Sequence, residues 1–390
     1  MTGNGNGSPP NADETAAGKW GASSEHQAER LILAGHANEW FVDAVQQMRL
    51  YGTPVTSRGR THREMLHALT MLVQPRQRVL TIPYRRANPF FQLAEPVWIL
   101  AGRSDAEWIC RYNSQLRQYL DGGPDFHGAY GKRLRRAGFQ GTADQLKDVL
   151  AQLRLDAGSR RAATVLRDPE LDNPQVETRD MPCNIACTYQ LRDGKLWAAT
   201  FNRSNDLVLG LSYTNIVQFT TIQEALACEL GVDVGEYSHF SSSLHVYEDD
   251  PIVRRLVENP HVSFDVYRHV PFTRMAPGPA LARAALLART LDDPVDCPYW
   301  ESVRRMLRAW GHLHGTSARD NVERCQRAVD ELHCVAAQDW AVAAWEFLWR
   351  WAARRHVTRH VYLPDYPAVV LAYIKHDGAV QPSLPEYHGP

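Results

Sequence analysis

The sequence predicts an α/β protein, and three observations lead to that class. Residues 184–202 read as a β-hairpin, with alternating side chains from Asn184 to Leu191, an Asp193-Gly194 turn and a second run from Lys195 to Asn202. Ala143–Leu155 and Thr221–Leu230 carry apolar residues at helical spacing. The 390 residues are 44% hydrophobic, enough for one large domain plus an appendage.

Taken from the N-terminus, residues 1–27 are rich in Gly, Asn, Ser and Pro and read as a disordered tail. A helix is expected from about Glu29, with WFVDAVQQMRL continuing it or starting a second helix after Gly35. Residues 59–75 and 91–120 alternate helical pattern with short strands. FQLAEPVWILAG reads as a helix carrying Glu95, with Pro96 tolerated near a first turn. Beyond Pro271 the character changes. MAPGPA is linker-like, and helices are expected over Ala280–Thr290, Trp300–His312, Ser317–Ala336 and Asp339–His356. The division is therefore a tail at 1–27, a catalytic domain at 28–270 and a mostly helical extension at 271–390.

Composition excludes several classes. Net charge is −1, so no global electrostatic pull toward nucleic acid is expected. The cysteines at 110, 183, 187, 228, 297, 325 and 334 show neither a disulfide framework nor zinc spacing, so no metal is expected and a reducing cytoplasm fits. No apolar run reaches the ~20 residues of a membrane helix. The Trp340–Ala353 segment is apolar but short, and contains Glu346 and Arg350.

Cys183 is the most informative residue. The tight hairpin brings it beside Arg203, and a guanidinium favours the thiolate, which is the nucleophilic form. A buried structural Cys beside a surface Arg is the bland reading, and the surroundings argue against it. Glu95 in AEPVWILAG, Tyr130 in GAYGKR, Ser159-Arg160-Arg161, Pro182-Cys183, Arg203-Ser204-x-Asp206, Asn215 and His245-x-Tyr247 follow one another in a set order. In that set, spread over about residues 39–250, the chain resembles the thymidylate synthase family, which includes the deoxycytidylate hydroxymethylases.

The resemblance implies a mixed β-sheet flanked by helices, with the sheets of two subunits packed back to back. It also implies transfer of a one-carbon unit from 5,10-methylenetetrahydrofolate to C5 of a pyrimidine nucleoside 5′-monophosphate. Cys183 would add to C6, while Glu95 and Tyr130 organise water and move the C5 proton. Phosphate would be held by Arg203 and Ser204, by Arg58 from SRGRT (Arg60 is the alternative), and by Arg160 and Arg161 reaching across a homodimer. Asn215 would read the uracil edge, since an amide offers both a donor and an acceptor. His245 and Tyr247 would reach the sugar 3′-hydroxyl. Asp206, with Leu116 and Tyr119, would contact the folate.

Four departures from the family pattern bear on the product. Gly210–Asn215 is one residue longer than usual, so Asn215 takes the family position if the extra residue lies before it, the preferred alignment, and Thr214 does if not. Asn184 follows the nucleophile where a His is common. Leu116 and Tyr119 stand where tryptophans often pack on the folate. No closing tail is recognisable before residues 271–390. A lid and bulky aromatics exclude water, so their loss raises hydroxymethylation of dUMP, dCMP or CMP beside the leading expectation of dUMP to dTMP. A non-catalytic nucleotide-binding relative is the third possibility.

Overall fold

Residues 30–361 are described in the computed structural model, apart from 58, 83, 84, 86, 139, 140, 259–264 and 315–319. The expected tail at 1–27 and the preferred phosphate ligand Arg58 thus lie outside the described residues.

One eight-stranded sheet organises the chain: β1 (Leu31–Ala34), β2 (Thr53–Ser57), β3 (Arg60–Leu72), β4 (Ala163–Val165), β5 (Asn184–Arg192), β6 (Lys195–Asn202), β7 (Asn205–Asp206) and β8 (Asp233–Val246). Its order is β1-β3-β8-β6-β5-β4, with β2 beside β3 and β7 beside β8. Pairing is mixed: β1 with β3, β6 with β8 and β7 with β8 are parallel, and the rest antiparallel. The hairpin of β5 and β6 forms where the alternation predicts it. Asp193 and Gly194 both have positive φ, 50° and 70°, which matches the primed turn that follows the twist of the strands.

The principal helices are α1 (Ala37–Tyr51), α2 (Pro89–Leu100), α3 (Tyr130–Arg135), α4 (Gln145–Leu155), α5 (Ile216–Leu230), α6 (Ala280–Arg289), α7 (Pro298–His314), α8 (Asn321–His333) and α9 (Gln338–Arg354). Helix α4 starts where Asp144 accepts a hydrogen bond from Lys147 N, and Gly231 ends α5 in the left-handed conformation.

Four expectations are corrected. Leu31–Ala34 is a strand, not the start of a helix. It pairs with β3, and a four-residue apolar run does not distinguish the two periods. Residues 60–72 form one long strand. The 91–120 stretch holds α2, the short helix Ala106–Ile109 and a 3₁₀ turn at Ser114–Tyr119, with no strand among the described residues. Pro96 sits well inside α2, while Pro89 takes the first-turn position.

The two faces of the sheet differ. Tyr237 and His239 of β8 and Thr200 of β6 are buried on the side that α5 covers. On the other side, strand register lines up Leu31, Leu69, Phe240, Phe201, Ala186 and Val165 in one row across six strands. Leu31, Phe201 and Val165 in that row are 38%, 38% and 54% exposed.

The C-terminal helices share one apolar cluster with the α/β layer. Phe90 of α2 meets Trp310 of α7 and Phe347 of α9 at 5.5 and 5.4 Å between ring centroids, and Trp310 Nε1 donates to Arg111 O at 2.6 Å. MAPGPA, linker-like in composition, is pinned down. Met275 N donates to the buried Glu224 at 3.0 Å, and Gly278 N to Cys228 O at 3.1 Å. Among the described residues no helix is long and apolar enough to cross a membrane.

Candidate active site

Cys183 stands just before β5, one residue outside the Asn184–Asn202 pair that ends the hairpin. Arg203 N donates to Cys183 O at 2.9 Å, so the register itself makes the two residues neighbours. The guanidinium then turns back on the segment that leads to the thiol. Its Nε donates to Pro182 O at 2.9 Å and an Nη to Met181 O at 3.0 Å. Arg203 thereby clamps the 181–183 turn as well as standing beside it. A register shift between Asn184 and Ala186 leaves Ile185 as the extra residue, and such bulges re-aim the side chains next to them.

Tyr130, the first residue of α3, reaches the same place. Its hydroxyl accepts from Asn184 N at 3.4 Å. Burial pushes its ionisation well above the ordinary phenol range, and the charge of a Cys183 thiolate pushes the same way. Glu95, on α2, is half-buried, with its Oε2 shut off from solvent. Burial raises its carboxyl to about 7, against a smaller opposing hydrogen bond from Gln218. Its Oε2 has no hydrogen-bond partner among the described residues. A carboxyl that changes state near neutrality can give a proton and take it back.

Asp206 ends β7 beside His245 of β8. Its Oδ1 accepts from Val208 N and Leu209 N, both at 2.8 Å, and so starts the next segment. That segment, Leu207–Asn215, is a π-helix in which Ile216 N bonds to Leu211 O, five residues back. Gly210–Asn215, the run expected to be one residue longer than the family pattern, lies within this π-helix. Thr214 turns its hydroxyl to Gly210 O at 2.8 Å, while Asn215 is buried with its Nδ2 on Asn205 Oδ1 at 3.1 Å.

His245 and Tyr247 form a trio of rings with His62, with centroids 5.4 to 5.7 Å apart. Burial keeps His245 below its ordinary pKa despite Asp206. Arg60, the alternative to Arg58, lies 3.7 Å over the Tyr247 ring and bonds Asp249 at 2.8 Å. Ser204 is half-buried between Arg203 and Asn205. The remaining predicted residues lie on other segments. Arg160 and Arg161 are exposed beyond the end of α4 and enter no ion pair among the described residues. Leu116 packs against the core, and the Tyr119 ring is 44% exposed on the 3₁₀ turn.

Sequence reasoning missed Asn205, His239 and Tyr237, a buried polar chain behind Asn215. Asn205 sits inside the quoted Arg203-Ser204-x-Asp206 motif at its unspecified position. His239 carried only the signal of a histidine in an otherwise ordinary strand.

The sequence profile described as thymidylate synthase matches residues 39–264. The chain is 32% identical over 341 residues to the deoxyuridylate hydroxymethyltransferase of Pseudomonas phage M6, covering 82% of this chain and 94% of that protein. It is 39% identical over 217 residues to the deoxyuridylate hydroxymethyltransferase of Bacillus phage SP01, covering 54% of this chain and 57% of that protein. Thymidylate synthase of Listeria monocytogenes is 32% identical over 136 residues, which is 34% of this chain and 42% of that protein.

Proposed function

The chain belongs to the thymidylate synthase family, and from that premise we propose that it is a deoxyuridylate 5-hydroxymethyltransferase using 5,10-methylenetetrahydrofolate. At the coarser level it is a one-carbon transferase acting on a pyrimidine nucleotide. The observation that carries the finer reading is the extent of the M6 similarity, 341 residues, which outruns the 39–264 profile match and reaches into the C-terminal helices. Those helices buttress α2, which carries Glu95.

In this reading Cys183 attacks C6 as the thiolate, which makes C5 nucleophilic. Glu95 and Tyr130 shuttle protons at the base, and the buried Glu95 carboxyl near neutrality suits that role. Asn215 reads the uracil edge, Arg203, Ser204 and Arg58 bind phosphate, and His245 with Tyr247 holds the sugar hydroxyl. Asp206, Leu116 and the exposed Tyr119 ring supply a carboxylate and flat apolar surface suited to a pterin and its aryl tail. The folate supplies carbon at the formaldehyde level. Once that carbon is bonded to C5, loss of the C5 proton and departure of tetrahydrofolate leave an exocyclic methylene on the base. Addition of water there and departure of the Cys183 sulfur leave a hydroxymethyl group. The catalytic domain is 28–270, with 271–390 as its extension.

We place the enzyme as a homodimer through the open sheet face. An apolar row crossing six strands is a surface that proteins cover. Arg160 and Arg161, exposed and without ion pairs among the described residues, would then enter the partner's site. A cysteine pattern with no disulfide framework in its spacing suits the cytoplasm.

Mass spectrometry of the nucleotide formed from dUMP and the folate tests the reading. The expected product is heavier than dTMP by one oxygen, with tetrahydrofolate as co-product. Formation of dTMP with rising dihydrofolate absorbance would return the chain to thymidylate synthesis. Absence of tritium release from C5-labelled dUMP, UMP, dCMP and CMP would leave a binding protein.

A further inference from the structure

Behind Asn215 the inner face of the sheet holds a chain of hydrogen bonds. Asn215 Nδ2 donates to Asn205 Oδ1 at 3.1 Å, and Asn205 Nδ2 meets His239 Nε2 at 3.0 Å. His239 Nδ1 lies 2.7 Å from Tyr237 Oη. All four residues are buried, at 6%, 3%, 0% and 0% exposure from Asn215 to Tyr237. On the other side of the Asn215 amide, Thr214 Oγ1 approaches Oδ1 at 3.4 Å.

The chemistry of the chain sets its direction. An amide nitrogen only donates, so His239 Nε2 must accept. Burial holds the imidazole neutral, with its pKa down at about 3. Its single proton is therefore on Nδ1 and points at Tyr237 Oη. Asn205 then presents oxygen to Asn215, which keeps one Nδ2 proton on Asn205 and leaves the other free beside Oδ1.

We infer that Asn205, His239 and Tyr237 are positioning residues that lock the Asn215 amide in the orientation that accepts uracil and rejects cytosine. The inference rests on the proposed role of Asn215 against the base. Uracil offers an acceptor at O4 and a donor at N3, which match the free Nδ2 proton and Oδ1. Cytosine offers a donor at N4 and an acceptor at N3, and would need the amide turned over. Turning it over sets Asn215 Oδ1 against Asn205 Oδ1. Reversing the whole chain requires two buried amides to flip together while the imidazole proton moves from Nδ1 to Nε2. Gly210 guards the arrangement from outside, because a Cβ there would lie 2.6 Å from Asn205 Oδ1.

The test compares C5-hydrogen exchange and equilibrium binding for dUMP and dCMP in the full-length enzyme. Wild type should prefer dUMP. In Asn205→Ala the ratio of kcat/KM for dUMP over dCMP should fall by about tenfold or more, the scale of one buried hydrogen bond that discriminates. Asn205→Asp keeps an acceptor for Asn215 and should retain the preference. Gly210→Ala, which displaces Asn205 without removing it, should lower the ratio too and serves if Asn205→Ala does not fold. An unchanged ratio in Asn205→Ala or in Gly210→Ala, or parallel loss for both nucleotides, would overturn the relay. A wild type that favours dCMP overturns it as well. A wild type that exchanges neither nucleotide instead sinks the proposed function itself.

Discussion

Glu95 is a candidate catalytic residue whose chemistry the surroundings alter. Its carboxyl is raised from 4.5 to about 7 by desolvation, against a smaller opposing hydrogen bond from Gln218. Below about pH 4.5 the group is protonated in native and unfolded chains alike and costs nothing. As pH rises toward 7 the unfolded chain releases a proton that the native chain keeps, so stability falls. Above 7 the full penalty remains, on the order of 3 kcal/mol. Asp180, raised to about 6 by burial, contributes with the same sign. Glu95→Gln should therefore flatten part of the decline in urea stability between pH 5 and 7, and should remove an ionisation near pH 7 from the rate profile of C5 exchange. An unaltered profile would take the proton shuttle away from Glu95. The sequence named Glu95 through its motif, but could not show its isolation. That depends on helices remote in the chain, as does the hydrogen-bond direction imposed on Asn215 by His239.

At the scale of elements, the hairpin was legible because its alternation and its Asp-Gly turn are local. The adjacency of Cys183 and Arg203 followed from register alone. The π-helix was half legible. One residue too many could be counted in Gly210–Asn215, but where the excess would go was a question of backbone hydrogen bonding. The strand at Leu31–Ala34 was not legible, since only its pairing with β3 makes it a strand. Helix α7 shows how an extension becomes part of the core. Trp310 is 8% exposed and packs on Phe90, Phe347 and Tyr112. Trp310→Ala should cost roughly 3–5 kcal/mol in chemical unfolding, in line with other buried large-to-small changes, and should lower exchange at C5 through α2. A loss under about 1 kcal/mol would mean that the helices after 271 do not support α2.

For the whole molecule the prediction concerns subunits. If Arg160 and Arg161 complete the partner's site, Cys183→Ser and the double variant Arg160→Ala, Arg161→Ala are each inactive alone. Mixed and re-assorted, they should recover about a quarter of wild-type activity, because half the dimers are hybrids and each hybrid has one intact site. No recovery, or a monomer by light scattering, would return both arginines to the solvent.

The sequence by itself determined the family, the hairpin, the candidate thiol and the order of the candidate ligands. These follow from residue type and short spacing, which need no partner distant in the chain. The tertiary structure decided the rest. It made a strand of Leu31–Ala34, desolvated the Glu95 carboxyl, tied the helices after 271 to α2, and set the direction of the Asn205–His239–Tyr237 hydrogen bonds behind Asn215. Each of those depends on desolvation or pairing between residues far apart in sequence, and a local pattern carries no information about which segments will exclude water together.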